Sequence, residues 1–296
     1  MESEARVSVR TLPMTLAQGA RIAAAACLVA CLASEAGFTR TALAQPANKP
    51  AKPLVGQQGK DAIWVPTPNA LIELMLDLAK VTAQDKVVDL GSGDGRAVIA
   101  AAKRGASALG IEFDANLVAI SKASAQKEGV VGKARFERAD IFATDFSDAS
   151  VVVLFLLPDL NIRLRPSILS MKPGTRVVSN TFEMGGWLPD QVVSLREECD
   201  FFFCKALLWI VPAKIAGEWA IETDGKAGIL SLKQQFQTFS GTVSNGGASI
   251  PVTDGRLAGD ELTFTAAGDA YTGKVNGDSI EGTTRSGAVW KARRGN

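Results

Sequence analysis

Three glycines at alternate positions constrain this chain more than any other feature. They lie in the stretch Val87-Val88-Asp89-Leu90-Gly91-Ser92-Gly93-Asp94-Gly95-Arg96. The β-branched pair ahead of them favours an extended strand. The stretch Ala97 to Arg104 behind them is rich in alanine and reads as a helix. Strand, tight glycine turn and helix form the first unit of a Rossmann-like sheet. Glycine permits the sharp bend and lets a ligand approach the backbone closely. The opening helix turns its free N–H groups toward that ligand.

The spacing narrows the ligand. A dinucleotide site reads G-x-G-x-x-G, whereas here the third glycine comes one residue early. The next apolar strand, Ala108 to Glu112, ends in an acid about 20 residues beyond the turn, where a carboxylate can accept from both ribose hydroxyls. A third strand, Ala134 to Ile141, carries Asp140 at its end. Asp89, Glu112 and Asp140 therefore mark three strand ends. The set resembles motif I and its partners in class I S-adenosylmethionine (SAM) methyltransferases. A nicotinamide site is the competing reading of the glycines. The resemblance implies SAM as cofactor, with Gly91, Ser92, Gly93 and Gly95 under its methionine part. It puts Asp89 near the ammonium, Glu112 on the ribose and Asp140 on the adenine amino group.

Upstream, Asp61 to Pro68 leads into a helix with Leu71, Leu74, Leu76 and Leu78 on its apolar face. Pro68 suits the first helical turn and Thr67 the N-cap. The series V-P-T-P, helix and D-L-G-S-G-D-G-R, within residues 61–190, resembles a bacterial group of class I methyltransferases. That group is distantly similar to the family that methylates a lysine of the ATP synthase c subunit. The resemblance implies that this segment folds over SAM, with Trp64 and Thr67 near the methionine end. The plainer reading is a capped helix.

Composition closes other routes. Net charge is +1, so no overall field favours a polyanion, and nucleic acid is not expected as a partner. The chain has no histidine, which removes His general bases, His metal ligands and a Ser-His-Asp triad; no metal site is expected. Methyl transfer from a sulfonium needs none of these, because alignment does much of the work.

Residues 1–44 read as a targeting segment. Arg6, Arg10 and Arg21 precede the apolar run Ile22 to Ala33, and Ala42-Leu43-Ala44 offers a cleavage site. The run is short for a membrane span. Cleavage and export is one reading. Lipidation at Cys31, within the lipobox-like Leu28-Val29-Ala30-Cys31, is another, and would attach the protein to a membrane on the periplasmic side. An uncleaved extension, with Met14 as a start and a cytoplasmic location, is the alternative. Residues 45–60 read as a flexible linker.

After Glu112, Asp114 can cap a helix closed by Gly129. The apolar run Val151 to Leu157 is expected as a central parallel strand. Loops at its C-terminal end are where doubly wound sheets place ligands. There Pro158-Asp159-Leu160-Asn161 only loosely resembles the family's acceptor-facing motif, and Asn161 can cap the next helix. Asp159, and Glu183 in the loop after the fifth strand, are the candidates to orient or deprotonate an acceptor amine. Residues 191–212 supply the two closing antiparallel strands. With Cys199 and Cys204 on one strand, five residues separate them by over ~16 Å, so buried thiols are expected there rather than a disulfide.

From residue 213 helical periodicity stops. Six short alternating segments are separated by turn signals at Asp224-Gly225, Asn245-Gly246, Asp254-Gly255 and Asn276-Gly277. The expected architecture is a seven-stranded Rossmann-like α/β domain over residues 61–212, followed by a small antiparallel β-barrel or sandwich over 213–296. The expected function is SAM-dependent methylation of an amine, with a protein lysine or a small molecule as acceptor. A non-catalytic exported binding protein that works through its β-domain is the other class of reading.

Overall fold

The computed structural model describes residues 51–195 and 203–295. The targeting segment, with Met14 and Cys31, lies outside these residues, as does Cys199. The first domain runs α1 (Asn69–Leu78), β1 (Lys86–Leu90), α2 (Arg96–Lys103), β2 (Ser107–Glu112), α3 (Ala115–Lys127), β3 (Ala134–Arg138), β4 (Val151–Leu154), α4 (Pro158–Leu169), β5 (Arg176–Asn180), β6 (Gln191–Ser194) and β7 (Lys205–Ile210). Its strands form one sheet in the order β3-β2-β1-β4-β5-β7-β6. β1 to β5 are parallel, and β7 lies antiparallel to both β5 and β6. This is the Rossmann-like seven-stranded sheet expected. No helix among the described residues is long and apolar enough to cross a membrane.

Strand alternation sorts the side chains into two cores. Val87, Val153 and Val178 pack with α1 and α2, whereas Val88, Leu90, Leu154 and Val177 pack with α4 and with Trp187 and Trp209. Asp89, Phe155 and Asn180 keep the phase of Val87, Val153 and Val178. They therefore rise on the α1–α2 face at the carboxyl edge of the sheet.

The structure corrects several local expectations. The N-cap of α1 is Pro68, in extended conformation and with no side-chain cap. Thr67 has turned its hydroxyl instead to Asn180 Nδ2, which donates to it at 3.3 Å. α4 starts at Pro158, so Asn161 lies inside the helix and caps nothing. Cys204 is disulfide-bonded, not a free thiol. The other cysteines, Cys27, Cys31 and Cys199, all lie outside the described residues. The single-strand premise fails because β6 ends at Ser194 and β7 starts at Lys205, paired antiparallel.

The second domain is a closed up-and-down barrel. Its strands are β8 (Gly217–Thr223), β9 (Lys226–Gln235), β10 (Thr238–Asn245), β11 (Ala248–Ala258), β12 (Glu261–Ala266), β13 (Asp269–Asn276), β14 (Ser279–Thr284) and β15 (Val289–Arg294). Each pairs antiparallel with the next, and β15 returns to β8, so the sheet has no free edge. Asp224-Gly225, Asn245-Gly246 and Asn276-Gly277 do mark hairpin turns. Asp254-Gly255 does not: it is an irregularity within β11, where Asp254 takes φ +55°.

Side chains fill the barrel interior, with Trp219, Phe264 and Trp290 among the largest. Gly273 and Gly282 face each other across β13 and β14 and make room for the Trp290 indole. A Cβ on Gly282 would stand 1.9 Å from the Thr272 carbonyl oxygen and 2.7 Å from Trp290 Nε1. Gly282→Ala is therefore expected to destabilise the protein by about 2 kcal/mol and lower its melting midpoint by roughly 6 °C. Gly132→Ala, a control with nothing within 4 Å of the added methyl, should melt with the wild type. Calorimetric melting of the two variants decides it; equal midpoints would remove the packing argument.

Candidate active site

At the carboxyl edge of β1, β2 and β4, a cavity of about 230 Å³ opens between the sheet and the segment leading into α1. The glycine turn forms its base. Gly91, Gly93 and Gly95 all take left-handed φ, at +84°, +55° and +82°. That lets the chain pass from β1 into α2 with no Cβ in the way. Gly91 N and Ser92 N both donate to the Ile111 carbonyl, which ties the turn to β2. A Cβ on Gly93 would lie 2.7 Å from Trp64 Nε1, so the indole closes over the turn.

The cavity has two unlike halves. On the β1–β2–β3 side, Asp89, Asp94, Glu112 and Asp140 line it. Asp89 is buried, and its carboxyl is pushed up to about 8 by desolvation and then by the negative charges of Glu112 and Asp94. Glu112 Oε2 accepts from Gly93 N, and Oε1 from Asp114 N, both at 2.9 Å. Each oxygen keeps a second acceptor site. Asp140 accepts from Lys60 Nζ at 2.6 Å and from Phe142 N at 2.9 Å. The Lys60 hydrogen bond, followed by that from Phe142, holds the Asp140 carboxyl below the usual range, and the same pair raises Lys60.

On the β4–β5–β7 side the wall is apolar. Leu156, Leu157 and Leu160 line it, with three rings from separate segments: Phe155, Phe182 and Phe203. Their centroids are 5.4 to 6.0 Å apart, with Phe155 and Phe182 stacked at 17°. Beside Phe155 in register stands Asn180, fully buried, its Nδ2 on Thr67 and its Oδ1 without a partner among the described residues.

Of the residues singled out from sequence, Trp64, Thr67, Asp89, Gly91, Ser92, Gly93, Glu112 and Asp140 come together on the cavity wall. Gly95 lies behind it as the left-handed N-cap of α2, packed against Phe136 and Ser121. Asp159 and Glu183 are exposed and outside the lining; neighbouring apolar side chains fill the wall in their place. Several residues were not legible. Lys60 sits in the stretch read as a linker, in a hairpin where Gly56 N donates to the Trp64 carbonyl and Trp64 N to that of Gln57. Arg96, the last residue of the motif and given no role from sequence, ties the segment down: its guanidinium pairs with Asp94 at 2.6 Å and donates to the Thr67 carbonyl at 2.9 Å. The rings and Asn180 carry no local signal, since each needs the fold to meet the others.

The acidic half suits a cation. With Asp61 and Asp114 at its rim, the carboxylates of the lining outnumber its cations, Lys60 and Arg96. The charges that act most on Asp89 are both negative. SAM carries a sulfonium and an ammonium. Its ribose hydroxyls match the acceptor sites left on Glu112, and its methionine part matches the backbone opened by Gly91 and Gly93.

Comparison with known proteins agrees. The family described as ANTKMT methyltransferase domain matches residues 89–191. A protein-lysine N-methyltransferase of Saccharolobus islandicus is 42% identical over 137 residues, which cover 45% of this chain and 85% of that protein. The human lysine N-methyltransferase of the ATP synthase c subunit is 37% identical over 130 residues, covering 44% of this chain and 55% of that protein. A solved RNA methyltransferase of Salinibacter ruber, in complex with S-adenosyl-L-homocysteine (SAH), is 42% identical, covers 51% of this chain and 96% of its own, and has a TM-score of 0.48. With its glycine turn, strand-end acids and seven-stranded sheet, the chain belongs to this methyltransferase family and is a SAM-dependent methyltransferase.

Proposed function

We propose that this enzyme N-methylates a lysine side chain of a protein. The observation that carries the reading is the division of the cavity: acids where the cofactor's positive charges belong, and an apolar aromatic wall where an acceptor would enter. A lysine side chain is a long apolar stem with one nitrogen at its tip, and such stems pack on apolar surface. Phe155, Phe182 and Phe203 offer that surface, and aromatic faces also favour the cationic product. The Saccharolobus and human relatives, both lysine methyltransferases by description, support the same acceptor.

Asp89 and the glycine turn would hold the methionine end of SAM, Glu112 the ribose and Asp140 the adenine edge. When bound, SAM supplies a methyl group already activated on a positive sulfur. The protein's part is placement. The Leu156–Leu160 and phenylalanine wall excludes water and lines the amine up, which gives a large rate gain by proximity alone. The amine must arrive with its lone pair free. Asn180 stands behind this wall, fully buried and outside the cavity lining, where its amide steadies Thr67.

The direct test is transfer from methyl-labelled SAM into a cell extract, followed by hydrolysis of the protein fraction. Label recovered as N-methyl-lysine is expected. Label confined to RNA or to small molecules would sink the lysine reading. Phe155→Leu should lower the transfer rate at limiting protein acceptor about tenfold and leave SAH affinity within about twofold; equal loss of both would place the ring in the cofactor site instead.

Asp89 gives a second test. A raised carboxyl is largely protonated below about pH 8 and must ionise to meet a cation, so SAM binding should release a proton near pH 7. Affinity should therefore rise with pH between about 6 and 7.5, below the range where the cofactor's own amino group titrates. Calorimetric titration in buffers of different ionisation enthalpy reads the proton count. Asp89→Asn should bind more weakly, with no such release; a wild type that releases none would remove Asp89 from the cation site.

A further inference from the structure

The barrel touches the methyltransferase domain at one loop in particular, Thr181 to Asp190, which carries Phe182. Phe236, in the tight turn between β9 and β10, stacks on Trp187 with centroids 6.1 Å apart and planes at 16°. The next residue, Gln237, donates from Nε2 to the Leu188 carbonyl at 2.7 Å. Arg256 of β11 pairs with Asp190 at 2.8 Å, and the Asp190 carboxylate is 8% exposed and also accepts from Ile210 N. From the other side α4 closes the grip. Arg165 donates to the Met184 carbonyl at 2.8 Å and lies over the Phe236 ring at 5.3 Å.

Backbone conformation argues that this grip is built rather than incidental. Thr181 and Phe236 both take left-handed φ, +60° and +54°, which side chains with a Cβ adopt at a cost. Thr181 is held by Lys205: its N donates to the Lys205 carbonyl, and its hydroxyl accepts from Lys205 N. That places Phe182 where its carbonyl accepts from Ser179 and Asn161, and its ring meets Phe155 and Phe203. A glycine at 236 would relieve the strain but leave Trp187 without its stacked ring.

We infer that the barrel is a positioning element for the acceptor: Phe236, Gln237 and Arg256 hold the Thr181–Asp190 loop so that Phe182 completes the aromatic wall. This rests on the reading of that wall as the acceptor site. None of the barrel's described residues lines the cavity itself, so its contribution runs through the loop that carries Phe182.

The test uses the full chain carrying Phe236→Ala, with Phe236→Tyr as the variant that keeps a ring. Three quantities are measured: amide hydrogen exchange across residues 181–190, SAH affinity by calorimetry, and the rate of label transfer to limiting total cell protein. In Phe236→Ala the loop should exchange faster and transfer should fall about tenfold, with SAH affinity within about twofold of wild type. Phe236→Tyr should restore both exchange and transfer. Unchanged exchange, faster exchange with undiminished transfer, or a parallel loss of SAH affinity would each overturn the inference. A wild type that puts no label on lysine sinks the lysine reading instead, and the exchange arm still decides whether the barrel holds the loop.

Discussion

The turn between β1 and α2 depends on one carboxylate. Glu112 reaches from the end of β2 to Gly93 N with one oxygen and back to Asp114 N with the other. Charge-assisted bonds to backbone N–H groups are among the stronger ones a protein makes. This one fixes a stretch in which three glycines occupy left-handed φ, and so it fixes how β1, β2 and α2 meet. Ser121 strengthens the join by donating to the Gly93 carbonyl from α3 at 3.0 Å. The ribose ligand expected from spacing is thus also the clamp of the turn. Any change at Glu112 acts on both the cofactor and the surface under it, and a fall in SAM affinity there cannot be assigned to the ribose contact alone.

What the sequence made legible follows from the range of each interaction. The acids Asp89, Glu112 and Asp140 were readable because each stands at or, for Asp140, two residues beyond the end of its own strand, and parallel pairing brings strand ends together without long-range detail. The glycines were readable because their backbone demand is local. The side proposed for the acceptor was not. Asp159 and Glu183 are close in sequence to the right edge, but α4 begins at Pro158, so Asp159 lies in its exposed first turn while Leu157 and Leu160 face the cavity. Phe155, Phe182 and Phe203 come from three segments whose meeting depends on β5 pairing with β7 and on a strained Thr181.

The same rule explains the rest. Asp-Gly and Asn-Gly pairs signal hairpins by local φ preference, and three of the four did so; the fourth became a bulge because β11 runs on through it to pair with β12. β11 and β14 show little alternation of their own, since much of each faces solvent, and closure of the barrel supplies what their composition does not. Residues 56–60 have linker composition yet form part of a hairpin on the cavity wall. Nothing local distinguishes a lysine that will find Asp140 eighty residues away.

The division of the cavity also bears on how one reaction cycle gives way to the next. The acids would attract the cofactor while its sulfur is positive, and Asp89, once ionised, would do so from a buried position. Transfer moves the positive charge across to the amine. The by-product would then be held by one charge fewer, while the methylated amine, cationic as it forms, would sit on rings that tolerate a cation. The acidic half is therefore matched to the cofactor before transfer and less so after it. Lys60 pairs with Asp140 at 2.6 Å, so the acid expected at the adenine edge already has a positive partner from the protein itself. The displacement of charge by transfer would by itself loosen the spent cofactor, without any rearrangement of the sheet.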